Sequence, residues 1–171
     1  MNIFYLNSDP VLAAQMQCDK HVVKMILESA QMLCTAHRVL DDEKADADAQ
    51  GLYKIAHKNH PSSIWVRERQ ANYQWLFMHM KALMAEYTYR YGKHHASERL
   101  LEWLAVTPIC LMTCKLPFTS PPQCMPDEHK NDDPVLAYQK YYIGDKAYMA
   151  RWNKTREAPK WWKNNLTGLS A

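Results

Sequence analysis

The stretch from Pro10 to Leu40 constrains the fold more than any other, because no glycine or proline interrupts it after Pro10. Its apolar residues recur with helical spacing, which predicts one long amphipathic helix that Ser8 or Asp9 can cap. A polar row follows one face of this helix, at steps of three or four residues. Its members are Gln17, His21, Lys24, Glu28, Gln31 and Thr35. Because apolar residues flank the row, we expect it to line a polar cleft.

A second long helix is predicted over residues 64–91. It follows a break at residues 59–61, where an Asn-His-Pro sequence favours an extended turn. Ser62 or Ser63 can cap the helix, and Gly92 is a suitable residue at which to end it.

Shorter helices are predicted over 52–57, near 97–104, and from Asp133 to about Trp152. The chain contains no internal repeat and no strand-rich block. These patterns predict an all-α, compact fold with two long helices, in which residues 1–171 form a single helical domain.

Six prolines make residues 106–134 a long, mostly irregular loop of the kind that is usually functional. One hypothesis for this loop is a tetrahedral zinc site. Its candidate ligands are Cys110, Cys114, Cys124 and His129. No Cys-x2-Cys pair is present, and cysteine often serves as a small buried apolar residue. We therefore expect no metal and no cofactor.

Composition narrows the class of protein. Hydrophobic residues make up 47% of the chain, which is typical of a globular protein, but no apolar run approaches the roughly 18 residues of a membrane span. The first ten residues lack the basic and apolar regions of a secretory signal. The five cysteines are an odd number, so we expect reduced thiols. Together these features predict a cytoplasmic monomer that does not contact membranes.

Basic and aromatic residues alternate from Lys140 to Lys163. The basic residues are Lys140, Lys146, Arg151, Lys154, Arg156, Lys160 and Lys163, and the aromatic ones are Tyr141, Tyr142, Tyr148, Trp152, Trp161 and Trp162. This mixture suits a surface that binds nucleic acid, where cations meet phosphates and rings stack on unpaired bases. The alternative is a C-terminal helix whose rings pack in the core and whose lysines face water.

The polar row contains residues that could carry out chemistry. Lys24 and Glu28 are one turn apart, and His21 precedes Lys24 by another turn. A desolvated lysine can attack an electrophilic carbon, and a nearby glutamate can hold a cation or move protons. An exposed ion pair between Lys24 and Glu28 explains the same spacing.

The Asn59-His60-Pro61 break offers a second candidate site, together with Trp65 and Arg67. The start of a long helix attracts anions such as phosphate. A structural turn with a helix cap accounts for the same residues.

Several motifs resemble the pyrimidine-dimer DNA glycosylase (endonuclease V-type) family. In the first helix they are Asp19 and Lys24-x3-Glu28-x2-Gln31-Met32-Leu33, and at the second they are Asn59-His60-Pro61 with Trp65. The end of the second helix and the tail add Glu86, Arg90, Gly92 and Pro159-x-Trp161-Trp162-Lys163. The similarity covers roughly residues 10–40, 57–92 and 155–165, and the motifs occur in the order of the family.

This resemblance implies a small helical enzyme that cuts the glycosidic bond of a damaged base. An amine attacks C1′ and forms a Schiff base, a glutamate assists, and β-elimination cuts the strand. DNA is kinked and a nucleotide is flipped out. It follows that the DNA contacts would come from Lys20, Asn59, Trp65, Arg67, Lys160, Trp161, Trp162 and Lys163.

Glu28 is the candidate for the glutamate, and His21 and His60 are further candidate catalytic residues. Typical members use the α-amine of a small second residue, whereas the second residue here is Asn, whose bulk predicts that Met1 is retained. The amine would then belong to Met1, Lys24 or Lys20, or the lyase step would be absent.

Other functions are compatible with the same residues. His21-Val22-Val23 replaces the arginine-rich part of the family's first helix, which weakens the expectation of a pyrimidine dimer as substrate. The alternatives are an enzyme acting on a modified nucleotide or on RNA, and a non-catalytic helical protein that binds nucleic acid.

Overall fold

The computed structural model describes residues 1–41 and 48–168, with side chains as far as residue 165. Its α-helices are α1 (Pro10–Met16), α2 (Asp19–Leu40), α3 (Pro61–Val66), α4 (Gln70–Tyr91), α5 (Leu101–Leu104), α6 (Ile109–Met112), α7 (Pro134–Asp145) and α8 (Lys160–Gly168). Two 3-10 turns span Ala96–Leu100 and Asp127–His129. No strand occurs in the described ranges, so the predicted all-α fold is confirmed.

The first predicted helix is in fact two helices. Asp9 caps α1 as expected, but α1 ends at Met16 and Gln17 and Cys18 are extended. The Arg90 guanidinium donates to the carbonyl oxygens of Gln15 and Gln17, both at 2.9 Å. These tertiary hydrogen bonds take the place of helical ones, which the local sequence pattern does not reveal.

The second predicted helix is also interrupted. It begins at Pro61 as α3, and α4 starts only after the extended residue Arg69. The cap is His60, whose Nδ1 accepts from the Ser62 amide at 3.2 Å, so the expected serine caps are wrong. Gly92 ends α4 in the left-handed conformation, as predicted.

Two other predicted helices need correction. Residues 52–57 are not helical, because Arg38 and Thr35 hold their backbone through bonds to Tyr53 O (2.8 Å) and Ala56 N (3.1 Å). The last predicted helix begins after its Asp133 cap but ends at Asp145 instead of Trp152.

The proline-rich loop predicted over residues 106–134 is not wholly irregular. It contains α6 and the second 3-10 turn. Residues 42–47, which belong to a stretch rich in Asp and Glu at positions 41–48, lie outside the described residues. None of the helices in the described part of the chain has the length and apolar character needed to cross a bilayer.

The core lies where α2 and α1 pack on α4. The extended chain start threads into this core, with Ile3, Tyr5 and Leu6 almost fully buried. Gln17 Nε2 donates to Ile3 O at 3.2 Å and fixes the path of this segment. As a result, the first two residues lie beside the polar face of α2.

Candidate active site

Glu28 is the centre of the candidate site. Its side chain is 15% exposed, and Oε2 accepts the backbone N–H of Asn2 at 2.9 Å. The Met1 nitrogen lies 3.9 Å from the same oxygen, and Lys24 Nζ lies 3.4 Å from Oε1. The carboxylate therefore faces the chain start on one side and a lysine on the other.

Glu28 opens into a cavity of about 410 Å³. One wall comes from the chain start and α2: Met1, Asn2, Phe4, Lys20, His21, Lys24, Met25 and Glu28. The other wall comes from the second half of the chain: Cys124, Tyr141, Lys146, Tyr148 and Met149. Three lysines around a single carboxylate make the cavity electropositive, which suits an anionic ligand.

Only the middle of the polar row lines this cavity, namely His21, Lys24 and Glu28. Gln17 lies in the core, with its amide nitrogen 3.1 Å from His79 Nε2. Thr35 is buried and bonded to Ala56. The expected cleft is therefore about two helical turns long.

His21 is held as a neutral ring in the cavity wall. Burial lowers its pKa to about 3, and the positive charges of Lys146 and Lys24 act in the same direction. Burial also raises the pKa of Tyr142 well above its usual value, so its hydroxyl keeps its proton and shares a hydrogen bond with His21 Nδ1. A neutral imidazole can accept or donate a hydrogen bond here, but it cannot act as a cationic acid near pH 7.

Phe4 has an unusual backbone beside His21. Its φ is +57°, a left-handed conformation that a bulky residue rarely adopts. Its ring stacks on the His21 ring with centroids 4.2 Å apart. Such strained residues concentrate at functional sites, where the surrounding structure maintains them.

His60 lies behind the chain start and caps α3. Its pKa is lowered by burial first, then by the positive charges of the chain start and His57, whereas Glu28 opposes these effects. Ser63, in the first turn of α3, donates its hydroxyl to the Met1 sulfur at 3.3 Å. The first turn of α3, which follows the Asn-His-Pro break, thus anchors Met1, whose side chain is 1% exposed.

The sequence-predicted DNA contacts fall into two groups. Lys20 is exposed at the cavity, and Asn59 is exposed beside the α3 cap. Trp65 is buried, and its indole N–H donates to Thr119 O at 2.9 Å, which assigns Trp65 to the core and not to a surface that DNA could touch. Arg67 is half-buried and donates to Ser63 O at 3.1 Å.

At the C-terminal end, the lysine side chains are exposed, whereas the tryptophan rings are packed against other rings. Lys160 and Lys163 are exposed, and Lys163 pairs with Glu157 at 2.7 Å. Trp162 is buried against Trp152, and Trp161 is half-buried beside Tyr142. The packing alternative thus describes these two rings, while both lysines face solvent.

The structure does not bring the four candidate zinc ligands together. Each contacts a different part of the chain: Cys110 donates to Leu40 O, Cys114 faces Glu68 O, Cys124 faces the Ser62 hydroxyl, and His129 bonds to Asp145. Among the described residues, His129 meets Glu128 and Asp145 rather than any cysteine. The loop is too extended to gather the four candidates.

A buried ion network holds together the elements that form the site. Arg90 binds Glu86 at 2.9 Å and Asp19 at 3.0 Å, and Arg156 also pairs with Glu86. Asp19 accepts the Asn153 amide at 2.7 Å. This network joins the start of α2, the end of α4 and the segment that follows α7.

Sequence reasoning missed part of the cavity. Phe4 carries no local signal, and Asn2 and Cys124 stood out only as the second residue and as a zinc candidate, because long-range contacts alone place all three at the cavity. Tyr141, Lys146 and Tyr148 stood out as basic and aromatic residues, but nothing in their spacing placed them opposite Glu28.

Comparison with known families gives one match. The family model described as pyrimidine dimer DNA glycosylase matches residues 1–99, which is more than half of the chain. The chain belongs to the pyrimidine dimer DNA glycosylase family. The resemblance drawn from the motifs is thereby confirmed, and membership places the chain among DNA glycosylases that act on DNA in repair.

The glycosylase family match covers α1 to α4, and so includes the chain start, Glu28 and His60. The opposite wall of the cavity, from Cys124 to Met149, lies outside the matched residues. Comparison with curated proteins gives no match, and comparison with solved structures gives none either.

Proposed function

We propose that this glycosylase removes a damaged or modified base from DNA with an amine nucleophile at the chain start and Glu28 as its partner. The observation that carries the proposal is the contact of Glu28 with both of the first two backbone nitrogens, inside an electropositive cavity. A glycosylase needs a nucleophile and a carboxylate within reach of the same sugar carbon.

Among the candidate amines, the geometry favours the chain start over the lysines. Lys24 is 70% exposed and Lys20 is also exposed, so neither is desolvated. Met1 is anchored by Ser63, and its nitrogen faces Glu28. α-Amines as a class also hold their protons less tightly than lysine side chains do, so more of the reactive neutral form is present near pH 7.

The proposed reaction follows from this pairing. The neutral amine bonds to C1′ as the bond from C1′ to the base breaks, and the base leaves as an anion that takes a proton from water. Glu28 takes the proton that the amine loses and faces the cationic sugar. Glu28 returns this proton to O4′ as the sugar ring opens to a Schiff base, and its carboxylate then takes a C2′ proton as the 3′ phosphate leaves. This last step is the proposed lyase activity.

The nitrogen of Asn2 is closer to Glu28 than that of Met1, at 2.9 Å. Removal of Met1 would convert this amide nitrogen into the α-amine. The intact mass of the purified protein therefore identifies which residue supplies the nucleophile.

Borohydride trapping on DNA with an abasic site tests the proposal. We expect a covalent adduct with the wild-type protein, which peptide mass spectrometry places on the chain start rather than on Lys20 or Lys24. Glu28→Gln should lower the trapping rate at least about 100-fold. Glu102→Gln, which changes an exposed glutamate outside the cavity, is the matched control.

Two outcomes would contradict the proposal. An adduct located on Lys24 or Lys20 would move the nucleophile to a side chain. DNA binding without any adduct or nicking would favour a non-catalytic protein that binds nucleic acid.

A further inference from the structure

Tyr148 is an exposed ring at the rim of the cavity. Its side chain lines the cavity, yet the residue is 79% exposed. It has no hydrogen bond or ring contact with any residue in the described part of the chain. An aromatic ring held in water beside a cavity is free to stack on a flat ligand.

A row of nearly parallel rings continues from the rim into the wall. The Tyr141 ring lies 15° from the plane of the Phe4 ring, and the Phe4 ring lies 26° from that of His21. Lys146 Nζ stands 4.5 Å from the centre of the Tyr141 ring and also lines the cavity. The rim therefore combines a free ring, a packed ring and a cation within residues 141–148.

This combination has the chemistry of a site for an unpaired nucleotide. Proteins that hold single-stranded nucleic acid pair stacking rings with cations that follow the phosphates. The cavity volume of about 410 Å³ is in the range of pockets for one small ligand. Glu28 lies in the opposite wall, where the sugar of such a nucleotide would meet it.

We propose that Tyr148 stacks on a single extrahelical nucleotide of DNA as it enters the cavity, and that Lys146 binds its phosphate. The proposal rests on the proposed function for its choice of DNA. It adds two contact residues from the part of the chain that the family match does not cover.

Binding measurements on two uncleaved duplexes test this inference. One duplex is fully paired, and the other carries a single bulged 2-aminopurine. Tyr148→Ala should weaken binding to the bulged duplex about 10-fold or more and to the paired duplex less than about 2-fold. Tyr148→Phe keeps the ring and should bind like the wild type. Stacking should also lower the 2-aminopurine fluorescence with the wild type and not with Tyr148→Ala.

Tyr89→Ala is the matched control, because Tyr89 is 56% exposed and lies outside the cavity. It should leave the preference for the bulged duplex unchanged. Equal losses on both duplexes, no loss with Tyr148→Ala, or no preference of the wild type for the bulged duplex would each overturn the inference.

The binding assay tests the nucleotide site independently of the amine mechanism, because it involves no bond cleavage. Selective loss with Tyr148→Ala but no borohydride adduct would reject the amine mechanism and leave the nucleotide site standing. An adduct with no selective loss would do the reverse.

Discussion

At the scale of single residues, burial decides which side chains can carry charge. His21 and His79 are the clearest cases, because burial lowers their pKa values to about 3 and about 4. Both rings are neutral in the folded protein near pH 7. His21 therefore serves the cavity as a hydrogen-bonding and stacking ring.

The same two histidines make stability depend on pH. Below about pH 6.5 the unfolded chain binds protons that the folded protein excludes, so the free energy of unfolding should fall as the pH falls toward 4. Each histidine should contribute a slope of about 1.4 kcal/mol per pH unit in this window. Urea unfolding at a series of pH values measures the slope.

His79→Gln provides the comparison. The carboxylates are the same in the variant and the wild type, so their contribution cancels when the two free energies of unfolding are subtracted. The variant should show a shallower decline between pH 6.5 and 4. Identical slopes for both proteins would show that His79 does not exclude its proton in the folded state.

At the scale of elements, a few side chains decide where helices stop and how they are joined. Arg90 interrupts the first helix at Gln17, and Asn72 Nδ2 donates to Trp65 O at 3.1 Å across the break between α3 and α4. The Glu86 network then connects α2, α4 and the segment after α7.

Removing one partner of this network should be costly. Glu86→Gln leaves Arg90 and Arg156 without their shared carboxylate, and we expect the free energy of unfolding to fall by about 3 kcal/mol. Glu157→Gln breaks the exposed pair with Lys163 and should cause no measurable change. Denaturant unfolding of the two variants measures both effects, and equally small changes would mean that the network adds little.

At the scale of the whole molecule, the cavity exists because two distant parts of the chain meet. The chain start and α2 form one wall and residues 124–149 form the other. Lys20 and Lys24 come from the first wall and Lys146 from the second, so the positive charge of the cavity also belongs to both halves.

This shared charge predicts how DNA binding responds to salt. Replacing Lys20, Lys24 and Lys146 with glutamine should lower the slope of log K against log salt concentration by about 2 to 3, since each phosphate contact contributes about 0.9. The matched control replaces Lys54, Lys93 and Lys115, which are exposed and lie outside the cavity. A slope that falls equally in both variants would place the DNA elsewhere on the surface.

Local patterns were reliable where the interactions are local. Helical spacing predicted the all-α fold and put His21, Lys24 and Glu28 on one face, and the residue types at Asp9, Gly92 and Asp133 marked helix ends correctly. The family motifs in the first 99 residues were recognisable for the same reason, since they lie within single helices or turns.

The sequence by itself thus determined the helical class, the polar face of α2 and the family, because each depends on residues within a few turns of one another. Only the tertiary structure decided that Gln17 and Trp65 lie in the core, and that the first two nitrogens reach Glu28. It alone brought Tyr148 to the opposite wall. These placements depend on contacts between residues far apart in the chain, which arise only when the helices pack around a common core.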